Sequence, residues 1–109
     1  MSAPFTAACV QFSAGPDPEP NLRTVSDLVR RARDVGADFI MTPEASNFIE
    51  SGSRRREKAR READDPFLAG LRCVARETGA WLQIDIEHVD LIVARDDPAG
   101  RIDKKGPVR

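Results

Sequence analysis

Apolar residues in this chain fall into short runs separated by strong punctuation, and the spacing of each run predicts its element. Residues 5–12 (Phe-Thr-Ala-Ala-Cys-Val-Gln-Phe) are small and apolar and too few for a helix, which predicts a central strand. Pro16, Pro18, Pro20 and Gly15 make residues 13–20 a loop. Asn21 is a suitable N-cap. Beyond it Leu22, Val25, Leu28, Val29 and Ala32 recur on one helical face, with Arg30, Arg31 and Arg33 opposite and Gly36 as the C-terminal cap. Phe39, Ile40 and Met41 form a continuous apolar run, as in a strand covered on both faces. Pro43 cannot donate a ladder hydrogen bond and biases Thr42 towards extended geometry, so the strand stops there and delivers Glu44 to its C-terminal edge. Strand, helix and strand of these lengths make a βαβ unit with parallel strands.

The second half repeats the device. Asp64-Asp65-Pro66 predicts a helix start with proline in the first turn, Phe67, Leu68, Leu71, Val74 and Ala75 supply its buried stripe, and Gly79 ends it. Trp81 to Ile84 predicts a third strand, and Val89–Val93 a fourth. Between the halves, residues 53–63 alternate arginine, lysine and glutamate, as in a solvated helix or a lid beside the strand ends. Asp97-Pro98-Ala99-Gly100 is a strong turn, and from Arg101 onward the chain is expected to be solvated and frayed.

Composition narrows the function classes. The chain has 109 residues with a formal net charge of -1, which supports one domain and gives no general pull towards nucleic acid or acidic membrane. No apolar run is long enough to span a bilayer and no basic, then apolar, leader is evident, so the expected location is cytoplasmic. Five arginines lie between Arg54 and Arg61, but Glu57 interrupts them and no aromatic side chain interleaves, so a solvated face is favoured over a phosphate or nucleic-acid site. Cys9, Cys73 and the single His88 fit no metal spacing, so no metal or cofactor is expected, and the two thiols are expected to be reduced and buried.

These elements carry a resemblance. The strand over residues 5–12, the Pro-rich loop, the helix beginning at Asn21-Leu22 and the run Gly36-Ala37-Asp38-Phe39-Ile40-Met41-Thr42-Pro43-Glu44 together resemble the opening of a carbon-nitrogen hydrolase, of the nitrilase and amidase superfamily. The similarity continues through Asp64-Asp65-Pro66-Phe67 and Ala80-Trp81-Leu82-Gln83-Ile84. It implies an α/β fold, part of a nitrilase-type α-β-β-α sandwich with βαβ units and an incomplete sheet. Residues 1–84 would be the N-terminal part of the hydrolase domain and residues 85–109 a divergent, partly disordered tail.

The resemblance also implies chemistry. Such enzymes hydrolyse amides or nitriles with a glutamate, a lysine and a cysteine: a base beside the nucleophile and a cation where the oxyanion forms. Glu44 matches the glutamate through Thr42-Pro43-Glu44. Arg101-Ile102-Asp103-Lys104 resembles the lysine context, which would make Lys104 the cation, although a solvated tail lysine is the simpler reading of those residues alone. Neither cysteine stands at a strand-to-helix elbow, and the reading therefore expects a truncated or frame-shifted product that lacks its nucleophile and is inactive alone. The implied partners are a small amide or nitrile and a homo-oligomer or a complete homologue, with no nucleic acid and no membrane. Two rivals remain: a non-catalytic binding or assembly module that pairs with such a homologue, and a βαβ nucleotide-binding domain, which the missing phosphate loop disfavours.

Overall fold

A computed structural model describes residues 4–43, 46–49, 53, 64–86 and 89–93 of the chain. Its elements run β1 (Ala7–Cys9), α1 (Pro18–Asp34), β2 (Phe39–Met41), α2 (Pro66–Thr78), β3 (Trp81–Ile86) and β4 (Val89–Val93). The four strands form one sheet in the order β1-β2-β3-β4. The first three are parallel, and β4 runs antiparallel to β3, with Leu82 opposite Val93 and Ile84 opposite Leu91. Two parallel crossovers stepping the same way across a sheet, each with the usual right hand, place both helices on one face.

That face holds the core. Ile40, Leu82 and Ile84 are fully buried against Val25 and Val29 of α1 and Leu68, Leu71 and Ala75 of α2. Gly70 sits where α2 meets α1, and a Cβ there would lie 2.6 Å from a Leu22 methyl, so its missing side chain sets the approach of the helices. The bidentate pair of Arg30 with Glu77, at 2.8 and 3.3 Å, spans the same two helices at the surface. The opposite face of the sheet lacks a covering layer among the described residues. Phe39 and Met41 are half-buried there, and Trp81, which pairs with Phe39, is 50% exposed. An open apolar face of this kind favours association. Sedimentation is expected to show concentration-dependent self-association of the chain, and Trp81→Ser is expected to move it towards monomer; a monomer at all concentrations would contradict this.

Several expectations are corrected. The strand expected over residues 5–12 is three residues long and forms an edge of the described sheet, because only β2 offers it a ladder. The helix expected from Asn21 begins at Pro18, with Asp17 at the N-cap. Pro18 and Pro20 fall in the first turn, where amide hydrogens have no helical acceptor and their loss costs nothing. Among the described residues β2 is covered on one face only, with Phe39 and Met41 half-buried on the other. Both thiols are free, as expected, but exposed: Cys9 lies on the open side of an edge strand, and Cys73 on the outer face of α2. The start of α2 stands as read: Asp65 caps it by accepting from the Phe67 amide at 3.0 Å. At its end Gly79 adopts a left-handed φ of 77° that a side chain would resist. β4 also occupies the expected residues, and β3 runs two residues past Ile84. The charged run over 54–63, His88, the turn over 97–100 and the tail lie outside the described residues.

The N-terminal edge of the sheet is held by one arginine. Arg33 donates from Nε to the Thr78 carbonyl and from Nη1 to both the Ala37 carbonyl and Asp38 Oδ1, each at 2.9 Å. Asp38 Oδ2 in turn accepts from the Thr6 amide at 3.1 Å. The Thr6 amide, and then the Arg33 guanidinium, hold the Asp38 carboxyl below the ordinary carboxylate value. Because the folded value is the depressed one, the stabilisation from this group is present above the unfolded carboxylate range of about pH 4. It is lost as pH falls through the lowered folded value. Melting temperature followed down that limb should fall more steeply for the wild type than for Asp38→Asn; parallel curves would remove Asp38 from the acid response.

Candidate functional site

The C-terminal ends of three parallel strands open at one rim of the sheet, and in open α/β sheets ligands bind at that rim. There β2 continues one residue beyond its formal end. The Thr42 amide donates to the Gln83 carbonyl at 3.0 Å, its hydroxyl donates to the same oxygen at 3.0 Å, and the Asp85 amide reaches Thr42 Oγ1 at 3.4 Å. Pro43 follows, with no hydrogen to donate, and the chain leaves the ladder as its sequence predicts. It returns at Ser46, whose amide and hydroxyl both donate to the Asp85 carbonyl, at 3.1 and 3.4 Å. Glu44 and Ala45 lie outside the described residues, and the chain is tied to the same strand, β3, at Thr42 before them and at Ser46 after them.

The loop beyond is buried rather than solvated. Ser46, Asn47 and Phe48 are all less than a tenth exposed, and the Ile49 amide donates to the Gly15 carbonyl of the loop after β1 at 2.9 Å. Asn21, expected to cap α1 from outside, instead lies inside its first turns and reaches both loops. No feature of the sequence distinguishes these two uses of an asparagine near a helix start. Beside the loop, a cavity of about 410 Å³ opens between the first turns of α1 and α2, floored by Leu22, Phe48 and Phe67 and edged by Asp17, Glu19 and Asp65.

Of the residues singled out from sequence, Glu44 and Lys104 both lie outside the described residues. Cys9 and Cys73 are not brought together: one is on the open face of β1 and the other on the outer face of α2, beside Arg23 and Glu77 and away from the rim. Among the described residues no group of three His, Cys, Asp or Glu side chains stands close enough to hold a metal ion, and no helix is long and apolar enough to cross a membrane.

The family model of the carbon-nitrogen hydrolases matches residues 6–99 of this chain. The chain belongs to the carbon-nitrogen hydrolase family. The match passes Ile84 and takes in β4. The deaminated glutathione amidase of Bos taurus is 32% identical over 85 residues, covering 78% of this chain and 26% of its own length; the Homo sapiens protein of that name matches equally in identity and coverage. A variant of the Nesterenkonia AN1 amidase, from the nitrilase superfamily, superposes with a TM-score of 0.61 at 34% identity, covering 70% of this chain and 30% of that one. The C. elegans NitFhit protein shares the fold over 96% of this chain and 31% of its own, with a TM-score of 0.78 at 20% identity. The chain thus spans about a quarter to a third of the carbon-nitrogen hydrolases it matches, and its sheet and helices are part of the nitrilase fold.

Proposed function

We propose that this chain supplies the glutamate-bearing part of a carbon-nitrogen hydrolase site acting on a small amide, with Glu44 as the group that takes and returns protons. The observation that supports this reading is the tethering of Thr42 and Ser46, on either side of Glu44 in the sequence, to Gln83 and Asp85 of β3. A base must be held near its nucleophile to be effective, and a three-residue span between fixed points does this more cheaply in entropy than a free loop.

Neither Cys9 nor Cys73 serves as the nucleophile in this reading: Cys73 is on the outer face of α2, and Cys9, although it ends β1, precedes the Pro-rich loop and not the strand-to-helix elbow that the family resemblance implies. The cysteine and most of the substrate pocket come from outside these 109 residues. Lys104 is the residue whose surroundings resemble the family lysine, and it is proposed as the cation on the oxyanion side. The hydrolase portion is taken to include β4, since the family match runs to residue 99. Alone, the chain is expected to release no ammonia from small amides above the buffer rate.

The test is a chimaera in which residues 6–99 of this chain replace the matching segment of the Nesterenkonia amidase. Amide hydrolysis that depends on Glu44 supports the reading, and hydrolysis indifferent to Glu44 overturns it. The same chimaera with Lys104 added by extension to residue 109, and then changed to methionine, reads the proposed cation: an unchanged rate removes Lys104 from the site.

A further inference from the structure

We propose that the cavity between the first turns of α1 and α2 is a binding site for a small primary amine with an apolar body, held as its ammonium by Asn47 Oδ1. Asn47 lines the cavity and is 4% exposed, and its Oδ1 has no hydrogen-bond partner among the described residues. A buried carbonyl oxygen without a donor is costly, and folded proteins hold few of them. The residue itself is fixed. Its own carbonyl accepts from Asn21 Nδ2 at 2.9 Å, the Ser46 amide before it donates to the Asp85 carbonyl, and the Ile49 amide after it donates to the Gly15 carbonyl. The acceptor is therefore held in place for a donor that enters from the cavity.

The rest of the lining says what kind of donor fits. Leu22, Phe48 and Phe67 give an apolar floor, and a volume of about 410 Å³ suits a ring with a short tail. Asp17, Glu19 and Asp65 edge the cavity, with no lysine or arginine among its described lining residues. Glu19 pairs with Arg23 at 3.0 Å, and Asp65 Oδ1 accepts from the Phe67 amide. An ammonium carries three hydrogens, enough to serve Asn47 Oδ1 and an edge carboxylate together, through bonds strengthened by its charge.

Helix starts commonly attract anions, but these two lack the usual amides. Pro18 and Pro20 of α1 and Pro66 of α2 have no amide hydrogen, and that of Phe67 is taken by Asp65. A carboxylate or phosphate entering here would meet three carboxylates and few donors. The site uses neither Glu44 nor a cysteine, so it stands independently of the hydrolase reading.

The test titrates phenethylammonium into the isotope-labelled 109-residue chain and follows amide shifts by NMR. Saturable shifts are expected at Asn47, Phe48 and Phe67, with NOEs from the ligand ring to the Phe48 and Phe67 side chains, and none at Trp81 on the open face of the sheet. Hydrocinnamate, with the same ring and the opposite charge, should bind about tenfold more weakly or worse. Asn47→Ala, which removes the unpartnered oxygen, should weaken amine binding about tenfold, as for loss of a charge-assisted hydrogen bond. Asp65→Asn keeps a good helix cap and removes one edge charge, so it should narrow the preference for amine over acid. Absence of saturable shifts would mean that the cavity takes only water and overturns the proposal. Equal binding of the two ligands, an amine affinity unchanged by Asn47→Ala, or shifts confined to Trp81 and its neighbours overturns it as well. Should Asn47→Ala fail to fold, the wild-type NOEs and Asp65→Asn decide, and an unchanged preference in Asp65→Asn counts as failure.

Discussion

Glu44→Gln is expected to lower kcat of the amidase chimaera by about 10²–10⁴-fold, the usual contribution of a positioned acid-base group. Glutamine keeps the size and most of the hydrogen-bonding capacity of glutamate, so the fold and the tethering of Thr42 and Ser46 should survive, and KM should move little. The loss belongs to proton transfer alone: a carboxamide can neither take the nucleophile's proton nor return one to the leaving nitrogen. Steady-state hydrolysis of a small amide, with circular dichroism to show that the variant is folded, makes the measurement. A chimaera with Glu44→Gln within a few-fold of its parent would mean that the glutamate at this rim is an ordinary surface residue.

The second large effect is on stability. Leu82 is fully buried, pairs with Ile40 on one side and Val93 on the other, and lies under both helices. Leu82→Ala is expected to cost about 2–5 kcal/mol, the transfer of the lost methyl groups plus the cavity they leave. A chain of this size with one sheet face open has little stability in reserve, so the variant should be largely unfolded where the wild type is folded. Trp81 is one residue away on the other face and half exposed, and Trp81→Ser should cost far less in the same urea titration. Equal costs for the two would mean that both faces are covered in solution, as in an assembly through the open face. A complete homologue that co-purified with the chain would be a partner for that face and would favour the assembly reading over catalysis.

Much of this protein is legible in its sequence, and the reasons are local. Helical spacing in Leu22, Val25 and Val29, and again in Leu68, Leu71 and Ala75, specifies two amphipathic helices, because a stripe at that period can be buried only by a helix. Gly36 and Gly79 mark the helix ends through their positive φ angles, which other residues resist. Pro43 stops the ladder of β2 just after Thr42, since proline has no ladder hydrogen whatever surrounds it. The family resemblance rests on these same residues, and for that reason it could be read before any packing was known.

Tertiary structure decided the rest. The periodicity of residues 5–12 says strand but cannot say central or edge, because that depends on which other strands are present to pair. Phe39 and Met41 read as doubly covered because an apolar run carries no record of whether a second layer exists. The cysteines read as buried because the residue type usually is, whereas exposure depends on the face each element turns outward. Asn21 shows the division most clearly. Its sequence neighbours make it a cap by helix chemistry, but Pro18 and Pro20 let the helix start a turn earlier, and the amide then lies within reach of two loops whose carbonyls need donors. Local sequence determined the helices, their ends and the strand that stops at Pro43; only the meeting of loops distant in the chain decided that Asn21 joins Gly15 to Asn47, because hydrogen-bond partners are set by proximity in space and leave no periodic trace along the chain.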